Sequence, residues 1–82
     1  MVIKAEQFKK RWGENLVIKE FVNQYGEKFE VYVPKGALTV YFAGDETGWE
    51  VENLFSSNFN VWSGEELTKL ANAIEEAVKE AI

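Results

Sequence analysis

The stretch from Ser63 to Ile82 reads as one long amphipathic helix, and such a helix dictates what must lie beneath it. Leu67, Leu70, Ala71, Ile74, Ala77, Val78 and Ala81 recur at helical spacing as a single apolar stripe. Thr68, Lys69, Asn72, Glu75, Glu76 and Lys79 fall mostly on the other side. Ser63 stands where an N-cap should be, and Glu66 where its capping-box partner should be. An isolated helix of this length is marginal in water, so its stripe needs an apolar surface. The segments before it are patterned to provide one.

Residues 16–23 read as a strand and Gln24-Tyr25-Gly26-Glu27 as a turn. Residues 28–34 alternate, with Phe29, Val31 and Val33 on one side and Glu30 and Tyr32 on the other. Pro34-Lys35-Gly36 is the next turn, and residues 37–43 alternate again, with Leu38, Val40 and Phe42 against Thr39 and Tyr41. Gly44 to Gly48 is a loop. Residues 49–55 resume alternation, with Trp49, Val51 and Phe55 opposed to Glu50 and Glu52. Phe59 to Trp62 is a short fifth strand or an extended lead into the helix. At the other end, residues 3–12 place Ala5, Phe8 and Trp12 on one helical face, with Gly13 as the stop. The expectation is one α+β domain over residues 1–82. Its order is α-β4(5)-α: an antiparallel meander, a long C-terminal helix on one face and a short N-terminal helix.

Register follows from parity. A two-residue loop at Lys35-Gly36 sets Val33 opposite Leu38, Val31 opposite Val40 and Phe29 opposite Phe42. A two-residue turn at Tyr25-Gly26 sets Val22 and Ile18 with Phe29 and Val33, but it turns Glu20 inward without a partner. In this reading Phe21, Tyr32 and Tyr41 look away from the long helix, joined by Val17 and Leu54, with Glu30, Glu50 and Glu52 around them. Either Phe8 and Trp12 cover that aromatic face, or it is open.

Composition bounds the chemistry. The 82 residues hold no Cys and no His, which removes disulfides, the usual zinc ligands, the commonest general base and the strongest nucleophile. There is no phosphate-cradling glycine motif, and with 14 acidic residues any carboxylate pair is easily proposed. The sequence therefore points away from an enzyme and implies no cofactor. Asp45-Glu46-Thr47 offers hard oxygen ligands, but without the spacing of a calcium loop it reads as a solvated turn. No apolar run has the length of a membrane span, and Met1 to Lys4 lacks the core of a signal peptide, so the chain reads as soluble and cytoplasmic.

The formal charge of −5 is uneven, +2 over residues 1–42 and −7 over residues 43–82. An acidic surface disfavours nucleic acid and suits a basic protein. The leading expectation is a small acidic interaction module or inhibitor. Its contact residues would be Phe21, Tyr32 and Tyr41, with Asp45, Glu46, Glu50 and Glu52 as an electrostatic margin. One form of it is a decoy for a basic nucleic-acid site. The alternatives are a homodimer joined through the aromatic face, and a ligand-binding or catalytic domain using paired carboxylates. Lys9-Lys10-Arg11 is the one basic cluster, expected to favour its own helix end and to meet the acidic end of the long helix.

Overall fold

A computed structural model of the chain describes residues 3–37, 39–44, 48–56 and 62–82. The order is β1 (Ile3–Lys4), α1 (Ala5–Trp12), β2 (Leu16–Val22), β3 (Lys28–Pro34), β4 (Tyr41–Gly44), β5 (Glu50–Asn53) and α2 (Gly64–Ala81). Short 3-10 turns occupy Gly13–Asn15 and Leu54–Ser56. The strands form one five-stranded sheet in the order β1-β5-β4-β3-β2, every neighbouring pair antiparallel. The α+β architecture and the meander are as the patterning predicts. The additional strand is Ile3–Lys4, which pairs Ile3 with Val51 and Lys4 with Glu50 ahead of the first helix. Of the segment expected to supply a fifth strand, residues 59–61 lie outside the described residues.

The α2 helix begins as its sequence indicates, with Ser63 Oγ accepting from the Glu66 N–H at 3.2 Å. Its buried stripe is Leu70, Ala73, Ala77 and Ala81, flanked by half-buried Ile74 and Val78. Ala73 takes the place expected of Ala71, which is exposed. These small residues let the helix settle on Val17, Phe29, Val31, Val33 and Phe42. Phe21, Val40, Leu54 and Trp62 pack around that core.

The register of the first hairpin differs by one residue from the two-residue turn, and this changes a whole face. Asn23 N–H donates to the Glu27 carbonyl at 3.0 Å, and Asn23 Oδ1 accepts from the Tyr25 and Glu27 N–H groups, both at 2.9 Å. Gly26, at φ 81°, supplies the left-handed residue that completes a three-residue loop. Val17 then lies opposite Val33, Lys19 opposite Val31, Glu20 opposite Glu30 and Phe21 opposite Phe29. Phe21 thus joins the core beneath α2, stacked on Phe29 with ring centroids 5.5 Å apart, and does not look away from the helix. Val17 and Leu54 likewise lie on the α2 side. The inward Glu20 that the two-residue turn demanded does not arise.

Between β3 and β4 the expected parity holds, but the pairing is displaced by two residues. Phe42 lies opposite Val31, and Gly44 opposite Phe29. The Phe29 ring occupies the space a side chain at position 44 would need. Pro34, with no N–H to give, falls just past the end of this ladder at Tyr32–Tyr41.

The second face is covered by α1. Phe8 is 3% exposed and lies over Tyr32, Ala43 and Val51, with Ile3, Trp12, Leu16, Tyr41 and Trp49 around them. Its ring is 5.5 Å from Tyr32 and 4.9 Å from Tyr41. The aromatic face is therefore filled, and Tyr32 has 0% exposure. The two helices sit on opposite faces, so Lys9-Lys10-Arg11 does not meet the acidic end of α2. There Glu80 receives Lys19 Nζ at 2.7 Å, and Glu75 pairs with Lys79 at 3.0 Å. The Lys19 ammonium is held above the usual lysine range, chiefly by the bond it donates to Glu80.

Candidate functional site

The expected contact residues do not come together. Phe21 is in the α2 core, Tyr32 is buried, and Tyr41 is half-buried against Phe8. Asp45 and Glu46 lie outside the described residues, as does Thr47 of the turn that offered hard oxygen ligands. Glu50 and Glu52 lie on the α2 side of the sheet, Glu52 directly opposite Phe42 and Glu50 paired with Lys4 at 3.1 Å. Of the described carboxylates expected around Tyr32, Glu30 shares its face and Glu50 and Glu52 do not, because Val51 is the β5 residue on that side.

What the fold assembles instead is a charged groove of about 630 Å³ beside α1. Glu20, Lys28 and Glu30 of the β2–β3 hairpin line it, facing Lys4, Ala5, Glu6 and Lys9 at the chain's start, with Gly48 and Trp49 also in the wall. Its chemistry centres on Glu30. This residue is 5% exposed, and a carboxylate so buried must be hydrogen-bonded. Tyr32 Oη donates to Glu30 Oε1 at 2.7 Å. Lys9 Nζ reaches Oε1 at 3.3 Å and Oε2 at 3.5 Å, long contacts from a side chain that also lies 5.7 Å above the Tyr32 ring.

The ladder places Glu20 against Glu30 by a rule that can be followed along the strands. Lys35 N–H donates to the Asn15 carbonyl, and Asn23 N–H to the Glu27 carbonyl. Antiparallel pairs alternate between hydrogen-bonded and non-hydrogen-bonded. The odd residues of β2 therefore bond to β3, and Ile18–Tyr32, Glu20–Glu30 and Val22–Lys28 are the close, non-bonded pairs. In such a pair the Cα atoms are about 4.5 Å apart and like charges directly opposite repel. Lys28 answers Glu20 at 3.5 Å, and Lys9 answers Glu30. Both lysines are about half exposed, so each ion pair contributes little by itself, about 0–1 kcal/mol.

Trp49 enters the wall through an uncommon backbone. Its φ of 61° lies in the left-handed region that a bulky side chain rarely adopts. Two bonds hold it there: its N–H donates to the Gly44 carbonyl at 3.2 Å, and its carbonyl accepts from the Ala5 N–H at 2.7 Å. Such a conformation costs about 1–3 kcal/mol and persists only where its surroundings fix it.

The Tyr32 hydroxyl is pushed far above the ordinary tyrosine value, first by burial, then by the bond it donates to Glu30 and by that carboxylate's charge. A raised folded-state value means that the neutral hydroxyl stabilises the fold fully below the unfolded value of 10.0, and that this is lost as pH rises beyond it. Tyr32→Phe should cost about 1–3 kcal/mol at neutral pH, since Glu30 loses its shortest donor. Above the unfolded tyrosine value the gap between wild type and variant should narrow by at most about 1.4 kcal/mol per pH unit. Urea unfolding of both proteins across that range checks this, and a constant gap would contradict it.

Among the described residues no helix is long and apolar enough to cross a membrane. No family model, curated protein or solved structure matches the chain.

Proposed function

We propose that this chain is a non-enzymatic protein-interaction module that takes a basic segment of a partner protein, with the groove beside α1 as its contact site. One observation carries the reading: Glu20 and Glu30 are directly opposed on neighbouring strands within a groove that also contains an indole. Two carboxylates so placed repel one another, and the half-exposed Lys9 and Lys28 offset this only through long contacts. An arginine side chain matches the arrangement. Its planar guanidinium has five donors for carboxylate oxygens, and its cation is attracted to an aromatic face such as that of Trp49. The acidic second half of the chain would steer such a partner at long range. We place this role in the cytoplasm, which a chain without cysteines suits.

The test is a calorimetric titration with an acetylated, amidated peptide carrying a central arginine, against the same peptide with glutamate there. The arginine peptide should bind, more weakly as salt rises, and should shift the Trp49 indole resonance. Glu20→Lys should weaken it at least about tenfold, some 1.4 kcal/mol. Binding indifferent to the central residue, to salt and to Glu20→Lys would rule the reading out.

A further inference from the structure

The same ladder rule fixes what the outer edge of the sheet offers. The odd residues of β2 are bonded to β3, so the backbone N–H and C=O groups of Leu16, Ile18, Glu20 and Val22 point outward. Lys69 of α2 confirms the direction, since its Nζ donates to the Val22 carbonyl at 3.1 Å. Among the described residues, no donor or acceptor meets the outward groups of Ile18 and Glu20. The side chains of these residues lie on the α1 side of the sheet, where Ile18 is 36% and Val22 46% exposed. Glu20 stands between them, at the end of a row that runs Val51, Ala43, Glu30, Glu20 across four strands.

We infer that β2 is a docking edge for an extended segment of a partner protein, which adds to the sheet as a further antiparallel strand. The inference rests on the proposed function and specifies how the basic partner is held. The outward groups would bond to the added strand. The segment reads apolar–any–basic–any–apolar: its apolar residues lie opposite Ile18 and Val22, and its basic residue lies opposite Glu20, at the outer rim of the groove. A second copy of this chain fits the edge less well. The register that pairs all seven residues of two β2 strands sets Lys19 against Lys19 and Ile18 against Glu20.

Amide hydrogen exchange on the intact protein tests this, residue by residue, with the peptide Ac-Thr-Val-Thr-Arg-Thr-Val-Thr-NH2 and its central-glutamate control as probes. In the free protein, Val17, Lys19 and Phe21 should exchange slowly, and Ile18 and Glu20 rapidly. With the arginine peptide at about ten times its dissociation constant, Ile18 and Glu20 should slow about tenfold, and the control should leave them unchanged. A shift of the Trp49 indole with no slowing at Ile18 and Glu20 would overturn strand addition while leaving the groove reading intact. Absence of both effects at millimolar peptide would overturn the two together. Slowing that appears without peptide and grows with protein concentration would make a second copy the occupant and overturn the assignment to a basic partner.

Discussion

Phe8→Ala should lower the stability of this protein by about 3–5 kcal/mol, the range for truncating a fully buried phenylalanine. Domains of this size are stable by only about 5–15 kcal/mol, so the loss is a large fraction of the whole. Phe8 is the side chain through which α1 reaches the sheet, with its ring against Tyr32, Tyr41 and Trp12. Removing it opens a void above Tyr32 and loosens the helix that carries Lys9, one residue along, to Glu30. Near-ultraviolet circular dichroism should change with the tyrosine environments, and the urea midpoint should fall. A cost below about 1 kcal/mol would match a surface substitution and would mean that α1 is not docked there.

Gly44→Ala should also lower stability, by less than Phe8→Ala but for the smallest possible change. Gly44 lies opposite Phe29, and an added methyl would run into the Phe29 ring. The ring has little freedom to yield, being stacked between Phe21 at 5.5 Å and Phe42 at 5.4 Å with Trp62 5.1 Å away. Overpacking of this kind costs about 1–3 kcal/mol and at times more. A smaller partner relieves it, so Phe29→Leu and Gly44→Ala together should cost less than the sum of the two alone. Strict additivity in thermal or urea unfolding would contradict the contact.

Much of the fold was legible because burial repeats with the period of each element. Phe29, Val31 and Val33 alternate cleanly, and Ser63 with Glu66 marks a helix start by hydrogen-bond chemistry alone. The site was not legible, because it depends on a single residue of loop length. Asn23 closes a three-residue loop through its own side chain, and that one residue moves Glu20 and Phe21 to exchanged faces. The signal was present in the unpartnered inward Glu20 of the shorter turn, a conflict that the longer loop removes. The two-residue displacement between β3 and β4 places the Phe29 ring over Gly44, a tertiary contact with no local signature. Lys9, Lys28 and Trp49 meet in the groove from three distant parts of the chain, and no spacing in the sequence announces that.

The groove and the docking edge both depend on the β2–β3 register, and nuclear Overhauser contacts between Hα protons measure it directly. Close, non-bonded antiparallel pairs bring their Hα atoms together, so contacts are expected for Ile18 with Tyr32, Glu20 with Glu30 and Val22 with Lys28. Contacts of Phe21 with Glu30 and of Lys19 with Tyr32 would signify the register of the two-residue turn, one residue away. Glu20 and Glu30 would then lie on opposite faces of the sheet, and neither the paired-carboxylate groove nor the assignment of Ile18, Glu20 and Val22 to the outward edge would stand.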